Sequence, residues 1–237
     1  TPGSLKATLC VQGNPMLYRF LETEDLPHRN CQKFIIATNE REEQIIKNIW
    51  ENGKANGVPG IELVDGAYIR SREPNIKARM GLHVPTTGIM DVHACMKRLA
   101  YKTETAGALI SYGTRVTGVE KQQNAFKVTF EDGYAVQSDI VINAAGLFAD
   151  EIAGMAGIDI DRAGYRLRYC KGQYYKTTKY RGMNRLIYPV PDPSTGSLGI
   201  HTRLHLDGTL AFGPNAFYVQ EMDYAFDHSY KDRKSVV

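Results

Sequence analysis

The chain lacks the marks of a metal-cluster, secreted or membrane-spanning protein. Its four cysteines, Cys10, Cys31, Cys95 and Cys170, are far apart with no C-x-x-C among them. That argues against a metal cluster or a disulfide framework and reads as reduced thiols. There is no Asn-x-Ser/Thr sequon, and no apolar run approaches the roughly 18–20 residues a membrane span needs. No signal-peptide pattern stands at the N-terminus, so a cytoplasmic location is expected. Charge of either sign is not in excess: 29 Lys and Arg against 26 Asp and Glu give a net +3, with no basic block. This speaks against nucleic acid and is compatible with a small anionic substrate. Repeats and low-complexity segments are missing. So is any G-x-G-x-x-G, the turn that offers backbone N–H groups to a dinucleotide pyrophosphate.

What is present is an ordinary globular composition, 43% apolar and 23% charged over 237 residues, enough for one large domain or two intimate ones. The most informative stretch is Ser138 to Asp150, SDIVINAAGLFAD. Its Ile140-Val141-Ile142 run reads as a parallel strand buried on both faces, ending in small residues that let a ligand approach the backbone. Residues 4–24 read as a helix with Leu5, Leu9, Met16, Leu17 and Phe20 on its apolar face, interrupted or kinked at Gly13-Asn14-Pro15. Lys33–Thr38 reads as a strand. Asn39 then caps a helix whose Glu42 closes a capping box, whose stripe is Ile45, Ile46, Ile49 and Trp50, and whose end is marked by Gly53 and Gly57.

Residues 78–84 read as a strand leading into Pro85-Thr86-Thr87-Gly88. Asp91 caps a helix with Val92, Cys95, Met96 and Leu99 inward and Gly107 at its stop. Residues 108–111 and 115–121 read as strands. Phe126, Val128 and Phe130 alternate with polar residues before Asp132-Gly133, a hairpin turn. From Tyr165 on, strands over 166–177, 186–190, 198–204 and 209–213, with Asp207-Gly208 as a turn, suggest an antiparallel layer. The expected class is therefore mixed α/β: an incomplete Rossmann-like domain with a β-meander, plus an antiparallel-sheet domain.

Several motifs resemble the FAD-dependent oxidoreductases of the D-amino-acid-oxidase superfamily, and most of all its L-2-hydroxyglutarate dehydrogenase/oxidase branch. They are PGSLKA at 2–7, PTTGIMD at 85–91, VINAAGLFAD at 141–150, CKGQYY at 170–175, YPVPDP at 188–193, LGIH at 198–201 and FGPNA at 212–216. They follow the family's order across nearly the whole chain. The resemblance implies FAD as cofactor and oxidation of a small 2-hydroxy acid by hydride transfer to the flavin. It leaves open an amine, an amino acid or glycerol 3-phosphate as substrate, and also a non-catalytic truncated domain that self-associates.

The family's N-terminal glycine turn and C-terminal flavin-closing segment have no counterpart here. The chain is thus expected to be an internal piece that alone binds FAD weakly or not at all. The implied division is a partial FAD-binding domain over 1–28, 91–161 and 216–237, with a substrate-binding domain over 29–90 and 162–215.

His201 is the leading catalytic residue under this resemblance, since an imidazole titrating near working pH suits removal of a hydroxyl proton. Thr87, Gly88, Lys171, Tyr174, Arg203 and Asn215 are the implied substrate-binding residues. Lys171 also reads as a solvated strand lysine, and Tyr174 as a packing residue. Val116, Asn143, Ala144, Ala145 and Gly146 are the implied cofactor neighbours, against readings as a strand valine and a small-residue strand end. His83, His93 and His205 read as structural or exposed, and no metal is expected.

Overall fold

The computed structural model describes residues 1–191 and 199–226. The chain divides into two compact units. The larger comprises residues 1–102, 171–217 and 223–237; the smaller comprises 103–170 and 218–222. Residues 1–28 and 91–102 thus cluster with the larger unit.

The centre of the larger unit is a four-stranded sheet in the order Leu186–Pro189, Lys33–Ala37, Met80–Val84, Glu62–Asp65. The first pairing is parallel and the others antiparallel. Side-chain alternation divides its residues between two faces. Ala37 and Leu82 pack on Ile46 of the helix Glu40–Ala55. Phe34 and Ile187 pack on Ile69 of the helix Gly66–Arg72. Phe34, Ile46 and Ile69 are fully buried, each stabilising the unit by about 2–3 kcal/mol.

A second, antiparallel sheet places Leu210–Gly213 between Tyr175–Thr177 and His201–Leu204. The two sheets share a core of Cys31, Leu186, Leu204 and Leu210. They are also joined by the buried Thr202 hydroxyl, which accepts from the Ile187 amide at 2.7 Å. Buried Glu73 ties the helix end at Arg72 to the segment leading into the strand Leu186–Pro189, accepting from the Asn184 amide at 3.1 Å and lying 3.7 Å from Arg185.

In the smaller unit, Val116–Lys121, Phe126–Phe130 and Ala135–Ser138 form the expected meander. Its turn is closed by the Tyr134 amide donating to Asp132 Oδ1, with Gly133 at φ +82°. A short 3-10 turn, Gly146–Phe148, and the helix Ala149–Met155 follow. Asp150 is buried, and its carboxylate accepts the Leu167 amide at 3.0 Å.

Several expectations change. The first helix runs without interruption from Leu5 to Thr23, through Pro15. Proline removes one ladder bond there. On either side of it, Asn14 Nδ2 and Tyr18 Oη both donate to the Thr86 carbonyl, at 3.1 and 3.3 Å, and hold the helix in place. The box expected at Asn39 does close: the Asn39 side chain caps the Glu42 amide, and the Glu42 carboxylate accepts from the Asn39 backbone as well as from the Thr38 amide and hydroxyl. Gly53 lies inside its helix, where a Cβ would collide with the Ile61 side chain; Gly57, at φ +73°, ends it.

The apolar faces expected at Leu5, Leu9, Met16 and Leu17, and at Val92, Met96 and Leu99, are exposed, with Leu21 and Cys95 the buried residues of these helices. Residues 108–111 and 139–145 are not strands, and Leu109, Ile140 and Ile142 are 98%, 74% and 85% exposed. The strand expected to be buried on both faces is therefore buried on neither. Among the described residues no strand lies alongside it, so it has no ladder to complete and no apolar face to meet. Asp192, Pro193 and Leu198 of the recognised motifs, and the tail beyond 226, lie outside the described residues.

Candidate active site

The chemistry-bearing group of the larger unit gathers where its two sheets meet. His201 opens the strand His201–Leu204 opposite Gly213 and is 7% exposed. Its Nδ1 lies 3.0 Å from the Gly199 carbonyl oxygen. A carbonyl only accepts, so Nδ1 carries the proton, and the Nε2 of the neutral ring is an acceptor. The Tyr174 hydroxyl, 3.1 Å away, therefore donates to Nε2.

Tyr188, on the neighbouring sheet, stacks on the imidazole at 4.1 Å and 21°, while Tyr174 meets it edge-on at 5.8 Å. Burial pushes the imidazole below its ordinary value. The Gly199 hydrogen bond opposes that shift and the nearby Lys33 ammonium adds to it. Burial likewise raises the Tyr174 and Tyr188 phenols. The result is a neutral base with a defined tautomer, linked to a tyrosine hydroxyl.

Two cations sit over the flanking rings. The Arg203 guanidinium lies 5.7 Å from the Tyr174 ring centre, and Lys33 Nζ lies 5.0 Å from that of Tyr188. Arg203 shares a strand face with His201, two residues on. Tyr174 is fixed by close approach to Gly213, where a Cβ would stand 2.9 Å from its ring and 2.7 Å from the Gln173 carbonyl.

The other expected substrate residues are placed differently. Lys171 pairs with Asp223 at 2.6 Å. Asn215 is locked to Gln173, accepting from its amide at 2.7 Å and donating to its side-chain oxygen at 3.2 Å. Thr87 accepts the Gln32 amide through its carbonyl at 2.7 Å. Gly88 lines a cavity of about 150 Å³ with Asn14, Tyr18 and Met90, whose lining includes none of the His201 group.

Lys33 and Tyr188 were not among the expected site residues. The available signal was a lysine in phase with Ile35 and Ala37 at the head of an apolar strand.

In the smaller unit, Val116 and Ala145 line a mostly apolar cavity of about 430 Å³ with Arg115, Phe148, Glu151, Ile152 and Met155. Asn143 braces the adjoining loop, donating to the Ala149 carbonyl at 2.7 Å and accepting from the Ala145 amide at 3.2 Å. Gly146 adopts φ +58°, and Ala144 is exposed. An apolar slot with a cation and an anion on its lining fits a flat heteroaromatic ring such as adenine. Among the described residues no group of His, Cys, Asp and Glu could hold a metal ion.

A family model described as FAD dependent oxidoreductase matches residues 1–235. The chain belongs to this FAD-dependent oxidoreductase family. Within the family it is 32% identical over 218 residues to an L-2-hydroxyglutarate dehydrogenase of Escherichia coli (strain UMN026), covering 91% of this chain and 51% of that protein. It is 30% identical over 251 aligned positions to the mitochondrial L-2-hydroxyglutarate dehydrogenase of Homo sapiens, covering 100% and 54%. The chain thus spans about half the length of these relatives. Among solved structures, the FAD-bound L-alpha-glycerophosphate oxidase of Mycoplasma pneumoniae shares the fold, with a TM-score of 0.78 at 24% identity over 92% of this chain and 58% of that one. A glycine oxidase from Geobacillus kaustophilus does so at 0.77 and 15% identity, over 97% and 60%. The mixed α/β class is therefore that of the FAD-binding oxidoreductases, and FAD is the family's cofactor. No helix among the described residues is long and apolar enough to cross a membrane.

Proposed function

We propose that the whole protein oxidises a small 2-hydroxy acid, with L-2-hydroxyglutarate as the leading substrate, and that His201 takes the hydroxyl proton. The observation that carries this reading is the neutral His201 with its proton committed to Gly199 and its Nε2 lone pair turned to Tyr174. The names of the relatives support the substrate class.

Each residue's role follows from its placement. Tyr174 passes the substrate hydroxyl proton to Nε2, giving up its own proton to His201 as it gains the substrate's. Tyr188 stacks on the imidazole and shields it from water. Arg203 attracts the substrate carboxylate. Val116 and Ala145 would hold the adenine end of FAD in their apolar slot. FAD, when bound, supplies the hydride acceptor. Free cysteines support a cytoplasmic setting.

The test is turnover by the whole protein of L-2-hydroxyglutarate, amines, amino acids and glycerol 3-phosphate with a dye as electron acceptor. Dye reduction by the hydroxy acid is expected, with kcat lowered roughly 10²–10⁴-fold in His201→Asn. Turnover of amines alone would overturn the reading.

A further inference from the structure

Among the described residues Lys33 is a cation without an anion. It heads the strand Lys33–Ala37, held in register opposite Leu186 on one side and Val84 on the other. Its side chain leaves the same sheet face as Ile35 and Ala37, the face on which Tyr188 stands opposite Ile35. Several other cations of this unit are matched: Lys171 by Asp223, Lys176 by Asp207, Arg185 by Glu73 and Arg79 by Glu43. Neither Lys33 nor Arg203 forms an ion pair with a carboxylate among the described residues.

Lys33 is also half-buried, and burial lowers its pKa, the mark of an ammonium stripped of water without a counter-charge. A buried charge is costly unless paired, and the Tyr188 ring 5.0 Å away offsets only part of that cost. The geometry therefore provides two unmatched cations, one over each aromatic ring that touches His201.

We propose that Lys33 binds a substrate carboxylate and that, together with Arg203, it makes the His201 site prefer a dicarboxylate over a monocarboxylate. This deepens the function proposed above and rests on the His201 group being the substrate site. A 2-hydroxy dicarboxylate presents one carboxylate beside the reacting carbon and a second at its far end. A site with one cation serves the first, and a second cation is what rewards the other. Each charge-assisted contact made in a water-poor site strengthens binding, while a monocarboxylate leaves one ammonium or guanidinium unmatched and gains correspondingly less.

The experiment is a binding measurement on the 237-residue chain that does not need turnover. Glutarate and butyrate are titrated by calorimetry, and the His201 ring resonances are followed by NMR. Glutarate is expected to bind at least about tenfold tighter than butyrate and to move the His201 signals. In Lys33→Met that preference falls to within about threefold, with butyrate affinity little changed; Lys33→Arg retains it. Lys33→Gln is run beside Lys33→Met, with thermal melts on each, so that a folded neutral variant is compared. Removing a half-buried charge is expected to leave both at least as stable as the parent.

An undiminished glutarate preference in either folded neutral variant overturns the proposal. So does a parent chain that binds the two acids alike. Failure of the parent protein to oxidise any 2-hydroxy acid, with the Lys33-dependent glutarate preference intact, overturns the reaction and leaves the dicarboxylate site. Turnover of 2-hydroxyglutarate unaffected by Lys33→Met overturns the role of Lys33 alone.

Discussion

At the residue scale, the His201 environment couples protonation to folding. Burial lowers its pKa in the folded chain below the ordinary 6.5. As pH falls from 6.5 toward that lower value, the unfolded chain binds the proton first, so stability declines. Above 6.5 this loss is absent. His205 is shifted in the same direction, chiefly by burial, and adds to the slope. Thermal melts of the chain between pH 7.5 and about 5 are expected to show a falling Tm that His201→Asn partly flattens. A slope identical in the variant would contradict the burial argument. In Tyr174→Phe, the rising acid limb of the kcat profile is expected to move, because the hydroxyl that donates to Nε2 is gone.

The sequence made His201 and Tyr174 visible through their motifs, and Arg203 through the family resemblance beside them. It could not show that Lys171 is occupied by Asp223, or that Lys33 meets Tyr188. Those are pairings between residues far apart in the chain, and local sequence does not name the partner.

At the scale of elements, caps and turns were the most legible. Asn39 and Asp91, the two caps expected, each accept a backbone amide at the start of a helix. Asp132-Gly133 makes the hairpin turn it promised. Such signals are read by residues three or four positions away, so the sequence carries them whole. Asn39→Ala is therefore expected to lower stability by about 1 kcal/mol, measured by urea denaturation. Gly213→Ala should cost about 1–3 kcal/mol, since its φ of +153° and the crowding of Tyr174 and Gln173 leave no room for a Cβ. Apolar runs were less reliable. Ile140-Val141-Ile142 has the composition of a buried strand, yet a strand exists only where a neighbour offers hydrogen bonds, and composition does not name the neighbour.

At the scale of the whole molecule, the chain carries its own core in the larger unit and a meander in the smaller one. It also presents large apolar side chains to solvent, among them Leu5, Leu109, Ile140 and Ile142, which are 73%, 98%, 74% and 85% exposed. Exposed apolar surface of this kind favours association. Sedimentation velocity across a concentration series is expected to show self-association that Ile140→Lys with Ile142→Lys reduces. A monomer at every concentration would count against it. The mixed α/β class and the family were legible because the motifs run in order over almost the whole length. The exposure of these faces was not, because amphipathic spacing shows which side is apolar and not whether anything covers it.

The seam between the two sheets carries one further consequence. The Ile187 amide leaves the backbone ladder and ends on the Thr202 hydroxyl, buried from water. Its proton can trade for deuterium only when the sheets part. A single slow resonance would thus clock how often the floor beneath His201 opens, without any ligand or catalytic assay.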